Sequence, residues 1–265
     1  MQMTNFIQFI YFGGQCPWNE WMIDQIIASA KILEAKYELI DLMEQPEYAK
    51  KYYLFFPFTT IIDETIKIPS PLIAGEIIKI VREGFNISKS AHSIIKKEGI
   101  SERIEPLTIN NIQNSCALCN SSINPGYCSS KTIWASKISQ QVPNNILGFI
   151  SYKLGETTAV IEFLPSELMP YPIPLKNKET MFITCIYSSD FYNIDYRGEV
   201  LKKACNYLAE NNFNKISVVS GEKSAFPNGP KDFFLNYGFS EKQNLGDVNL
   251  KIGRDKLLYM EKILS

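Results

Sequence analysis

The chain has 265 residues, 45% of them hydrophobic and 21% charged, with 27 basic against 28 acidic residues for a net charge of -1. That composition is globular, and the length suits two domains better than one. Balanced charge excludes a protein built around a phosphate backbone or an anionic membrane surface, so nucleic acid is not expected as a partner.

No apolar run reaches the roughly 20 residues of a membrane helix, and the segment Met1 to Asn5 lacks the basic start of a signal peptide. A cytoplasmic protein with its six cysteines reduced is expected, without membrane association. Phe6 to Phe12 is an aromatic and β-branched run ending at Gly13-Gly14, and an amphipathic stretch from Pro17 to about Lys36 follows. This predicts strand, loop and helix. Tyr37 to Asp41 predicts a second strand, Pro46 to Tyr53 a short helix, Phe58 to Ile62 and Ile66 to Ile68 paired strands, and Pro71 to Arg82 a helix closed at Gly84. Residues 1–85 therefore read as one α/β unit.

The polar, lysine-bearing stretch 86–103 reads as a connector, with a second domain over 104–265. Ile104 to Leu107 predicts a strand, followed by a capped helix start near Thr108 and a cysteine-bearing loop. Ile146 to Lys153, Thr158 to Leu164 and Met181 to Tyr187 predict three neighbouring strands, the last two separated by the proline-rich segment Pro165 to Pro174. Arg197 to Asn211 then predicts a helix, Ile216 to Ser220 a strand, Pro230 to Tyr237 a short helix ended by Gly238, and Leu257 to Leu264 a last strand.

Gly13-Gly14-Gln15-Cys16-Pro17-Trp18-Asn19, after a strand and opening a helix, resembles the active-site turn of thioredoxin folds, with Pro57 standing where those folds put a cis-proline. A dithiol enzyme needs a second cysteine three residues on, and that residue is Asn19. Dithiol exchange is excluded locally; a structural or docking role remains, beside a single reactive thiol at Cys16 with a pKa lowered by the helix N-terminus. Cys116-Ala117-Leu118-Cys119 with Cys128 is the nearest approach to a zinc set, but no second such pair exists and the lone histidine, His92, lies in the connector. No metal is expected, and small buried thiols are the simpler reading.

Gly148-Phe149-Ile150, Ile161-Glu162-Phe163-Leu164-Pro165, Met181 to Tyr187, Tyr196-Arg197-Gly198 and Asn236-Tyr237-Gly238-Phe239 together resemble the YoaP-type branch of the GNAT superfamily of acyl-CoA-dependent N-acetyltransferases, in which such a domain follows a thioredoxin-like module. The resemblance implies a thioredoxin-like α/β sandwich followed by a GNAT-type mixed sheet, with acetyl-CoA as co-substrate and an amine of a small molecule or peptide as acceptor. It also implies cofactor contacts from Cys185, Ile186 and Tyr187 on a splayed strand, from Arg197, Gly198, Glu199, Val200, Leu201 and Lys202 at the pyrophosphate turn, and from Phe234. Unpaired amides at a helix start, with the helix dipole behind them, suit a diphosphate.

Family members carry Arg-Gly-x-Gly-x-Gly or Ala at that turn, whereas this chain reads Arg197-Gly198-Glu199-Val200-Leu201-Lys202. Val200 adds bulk where close approach is wanted, and Glu199 adds negative charge. Phe234 holds the place of a tyrosine that in many relatives protonates the leaving thiolate, with Tyr237 the nearby candidate for that proton transfer. Glu162 is the candidate general base if its strand face is buried; strand alternation leaves a solvent-facing Glu162 equally open. An N-acetyltransferase is thus the leading expectation, with a catalytically inactive GNAT-fold scaffold as the alternative.

Overall fold

The computed structural model describes residues 6–87, 89–92, 96–119, 128–189 and 193–264, with only the backbone for residues 117 and 119. Its first part runs β1 (Phe6–Tyr11), α1 (Trp18–Leu33), β2 (Lys36–Asp41), α2 (Glu47–Tyr52), β3 (Phe58–Ile62), β4 (Ile66–Ile68) and α3 (Ala74–Glu83). These strands form a four-stranded sheet in the order β2-β1-β3-β4, with β1 parallel to β2 and the other pairs antiparallel.

Alternation along β1 sends its side chains to opposite faces. Ile7 and Phe9 pack with Met22 and Ile26 of α1 and Ile77 and Ile80 of α3, while Ile10 and Phe12 enter a different and larger core. Helix α3 begins where the backbone N–H of Ile73 donates to the Glu76 carboxylate at 3.1 Å, satisfying one of the donors a helix start leaves open. It stops at Gly84, whose φ of 85° lies where a side chain would be strained.

The second part runs β5 (Lys97–Glu98), β6 (Arg103–Leu107), α4 (Ile112–Cys119), α5 (Cys128–Ile138), β7 (Gly148–Lys153), β8 (Glu156–Pro165), β9 (Thr180–Ser188), β10 (Ile194–Asp195), α6 (Arg197–Glu210), β11 (Lys215–Gly221), α7 (Lys231–Asn236), β12 (Ser240–Leu250) and β13 (Gly253–Ile263). Its seven-stranded sheet has the order β12-β13-β11-β9-β8-β7-β6. Every neighbouring pair is antiparallel except β9 and β11. The fold class is α/β, with two mixed sheets.

Three local expectations give way. Helix α5 stands where a cysteine-bearing loop was expected, and β12 extends the sheet at an edge read as loop. The stretch read as a connector carries β5, which pairs in parallel with β10.

The two sheets share one core. Phe12 meets Trp134 of α5 edge-on with ring centroids 5.9 Å apart, and Phe56 stacks on Phe226 at 5.3 Å. Burying an aromatic of this size is worth roughly 1.5–3 kcal/mol, so these contacts hold the two parts as one body. Gly14 permits the approach: a Cβ there would lie 2.1 Å from the carbonyl oxygen of Ser130. Among the described residues, no helix is long and apolar enough to cross a membrane.

Candidate functional site

Strands β9 and β11 pair from Thr180↔Lys215 to Ile183↔Val218 and then separate, although both continue. A bulge accompanies the separation: Glu162 faces Cys185 and Phe163 faces Ile183, leaving Thr184 without an opposite number on β8. From Thr184 onward the edge of β9 that faced β11 has lost its strand partner. Asn228, in the loop after β11, stands in the gap. Its Oδ1 accepts from the N–H of Ile186 at 2.9 Å and its Nδ2 donates to the carbonyl of Val219 at 3.3 Å.

A chain of cavities follows this opening. The enclosed end has a volume of about 260 Å³ and lies between the Gln15–Trp18 turn and the separated strands. It adjoins a cavity of about 300 Å³ through Ile186, Tyr187, Ala225 and Phe226. That second space shares Lys96, Asp195 and Arg197 with a wider groove of about 630 Å³ beside the start of α6, where Lys223 also stands. The three spaces share walls, and in series they reach from the first turn of α6 to the sheet interior.

Glu162 lines the enclosed end and is 2% exposed, so the alternation of β8 places it inward, not toward solvent. The ammonium of Lys131 meets Oε1 of Glu162 at 2.7 Å and Oε2 at 2.9 Å. The same ammonium donates to the carbonyl of Gln15 at 2.6 Å, and the Gln15 amide reaches Oε2 of Glu162 at 3.4 Å. Burial is the largest influence on the Lys131 pKa and pulls it down, but Glu162, with Cys116 and Cys185 adding to it, outweighs that pull and holds it above the ordinary lysine range. Lys131 and Gln15 carry no sequence signal that marks them, because their partners lie 31 and 147 residues away in the chain.

Cys16 corrects its expectation. The thiol is pushed up to about 12, chiefly by burial, with the backbone N–H of Trp18 pulling the other way, and is not lowered by the start of α1. Asn19 is a structural residue, its amide bonded to the carbonyls of Gly13 at 2.8 Å and Pro57 at 3.3 Å. The cis bonds among the described residues precede Pro227 and Pro230, so Pro57 follows a trans bond. Cys116 and Cys128 are free thiols joined by a hydrogen bond, and the Cys116 pKa is pushed up mainly by burial, while the side chain of Cys119 lies outside the described residues. No cluster of three metal-binding side chains occurs among those described.

The expected contacts divide into two groups. Cys185, Ile186 and Tyr187 line the cavity chain, and Arg197 lines its outer part. The Arg197 guanidinium is held by Asp195, with Nη2 to Oδ2 at 2.7 Å, and by the carbonyl of Gly229. Gly198 sits directly against Tyr237: a Cβ there would lie 1.8 Å from its hydroxyl, so the end of that ring would have to shift. That hydroxyl donates to Glu98 at 2.8 Å, and its pKa is raised first by burial and then by Glu98. Glu199 accepts from the N–H of Ser101. Val200, Leu201 and Phe234 are buried core residues, and Lys202 lies over the Tyr237 ring with 5.4 Å to its centroid. The first turn of α6 is thus covered by Tyr237 and by the Glu98–Ser101 segment.

No family model matches the sequence, and no curated protein matches it. Among solved structures, the chain is similar to the ribosomal-protein-alanine N-acetyltransferase of Brucella melitensis at 12% identity, covering 61% of this chain and 99% of that one with a TM-score of 0.46. It is also similar to an N-acetyltransferase of Staphylococcus aureus Mu50 at 14% identity, covering 62% and 98% with a TM-score of 0.46. A third is the PaiA N-acetyltransferase of Thermoplasma acidophilum in complex with coenzyme A, at 14% identity, covering 61% and 98% with a TM-score of 0.38.

Proposed function

We propose that the chain is an N-acetyltransferase that moves an acetyl group from acetyl-CoA to an amine, with residues 104–265 forming the GNAT-type domain and residues 1–85 a thioredoxin-like module joined by 86–103. The supporting observation is the separation of parallel β9 and β11 at Thr184, which opens a path from the start of α6 to the buried Glu162–Lys131 pair.

In this reading the acyl-thioester end of the substrate lies along β9 at Cys185 to Tyr187, where the Ile186 N–H, held by Asn228 in place of β11, would pass to its amides. The diphosphate lies in the outer groove near Arg197, Lys96 and Lys223. The cationic side chains there offset Asp195 and Glu98, a contribution that the substituted turn from Glu199 to Lys202 requires. An N–H aimed at the thioester carbonyl would stabilise the oxyanion as the amine attacks. The nitrogen then loses a proton and the leaving sulfur gains one, with Glu162 proposed to take the first and pass it on; the Tyr237 hydroxyl, against Gly198 and bonded to Glu98, lies at the end given to the diphosphate and not beside the sulfur.

The covered start of α6 favours a second reading, a binding protein that has lost turnover. Asn228 holds the Ile186 N–H that a bound pantetheine arm would take, and Gly198 is filled against Tyr237. Calorimetry on the full chain separates the two. Saturable heat with acetyl-CoA, followed by acetylation of an amine from a panel, supports the enzyme; no heat at millimolar ligand with the protein folded removes it.

A further inference from the structure

The enclosed end of the path has walls from both sheets. Cys16, Trp18 and Phe58 of the first part face Val160, Glu162 and Thr184 of the second across about 260 Å³. Its lining contains two charged side chains, Lys131 and Glu162, and they neutralise each other at 2.7 Å. A third charge entering this space would surrender its water and meet no counter-ion, a cost of several kcal/mol.

The polar atoms left over ask for a hydrogen-bond partner. Gln15, 2% exposed, has its Oε1 buried with no partner, and Thr184 has its Oγ1 in the same condition. Glu162 receives Lys131 and Gln15 and still has lone-pair capacity. Gln15 Oε1 and the Glu162 carboxylate can only accept, and the Thr184 hydroxyl accepts as well as donates, so a ligand that presents N–H groups satisfies all three. Apart from Ser115 and the thiols of Cys16 and Cys185, the rest of the wall is aromatic, proline and aliphatic, which suits a flat apolar body.

We infer that this chamber binds a small aromatic amine whose nitrogen is uncharged at neutral pH, with its ring between Trp18 and Phe226 and its N–H groups directed at the acceptors around Glu162. The assignment rests on the transferase reading for the fate of the amine, but not for its binding. It excludes charged aliphatic amines and peptide N-termini as occupants, and it makes the first part of the chain a wall of the acceptor site.

The test is calorimetry on the full chain without acyl-CoA, comparing 4-methylaniline with 4-methylbenzylamine, which is charged at neutral pH. Binding of the aniline, at least about tenfold tighter than the benzylamine, is expected from the cost of desolvating an unpaired charge. Thr184→Val should weaken the aniline about threefold to tenfold, as for loss of one hydrogen bond. Ala225→Trp, at the exposed rim and outside the core, should weaken it by at least about tenfold by filling the mouth, on the same scale of free energy. Equal or tighter binding of the benzylamine, no binding of the aniline, or an unchanged affinity in Ala225→Trp overturns the proposal. Aniline binding without any acetyl-CoA binding would leave the chamber assigned and remove the transferase reading.

Discussion

The Nζ of Lys131 lies 2.7 Å from Oε1 of Glu162, with both side chains 3% exposed. The lysine comes from α5 and the glutamate from β8, and the carbonyl of Gln15 in the first part of the chain completes the arrangement at 2.6 Å. A charge pair sealed between two sheets contributes to stability only while both members are present, because either alone is a buried, uncompensated charge.

Lys131→Ala should therefore cost about 3–5 kcal/mol of stability, while Lys131→Met combined with Glu162→Leu should cost far less. Urea denaturation of the single and double variants reads this directly. A single variant within about 1 kcal/mol of the parent would show that the pair is not sealed as described.

Alkaline sensitivity follows from Cys16. Its folded-state pKa, about 12, is raised above the unfolded value of roughly 8.5, so the contribution is fully present below about pH 8.5 and is lost as pH climbs toward 12. The melting temperature of the parent should fall over that window, and Cys16→Ala should make the fall shallower. Iodoacetamide should label Cys16 in the folded protein far more slowly than a free thiol at pH 8.

Asn228→Ala leaves the buried N–H of Ile186 without its acceptor, which should cost about 1–3 kcal/mol by thermal or urea unfolding. On the transferase reading the same change exposes the edge of β9 to the pantetheine arm and tightens acetyl-CoA binding. Weaker binding in a folded Asn228→Ala protein would place the arm elsewhere.

Gly14→Ala should be among the costlier alanine substitutions, since its Cβ would strike the Ser130 backbone at 2.1 Å and push the first sheet away from α5. Overpacking of this kind costs about 1–3 kcal/mol or more. Gly75→Ala is the matched control: it meets nothing within 4 Å on α3 and should be neutral or stabilising by up to about 1 kcal/mol. Equal effects at the two positions would contradict the close docking of the turn.

The strands of the first sheet and the separated pair β9 and β11 were legible because they are short runs rich in β-branched and aromatic residues set between polar, glycine and proline segments. Helix α5 was not. Its inward face carries Lys131 beside Trp134, Ala135 and Ile138, so the segment reads as polar and weakly patterned. Edge strand β12 was missed for a related reason, since most of Ser240 to Leu250 faces solvent and only Leu245 and Leu250 are buried.

From sequence alone came the alternation of strands and helices, the loss of the second thiol at Asn19, and the altered turn from Arg197 to Lys202. These are local properties, set by side-chain chemistry within a few residues. Tertiary structure alone decided that Glu162 faces inward against Lys131, that Asn228 stands between β9 and β11, and that Tyr237 covers the first turn of α6. The reason is that a buried charge or N–H must find its partner wherever the fold brings one, and periodicity along the chain carries no record of distance across it.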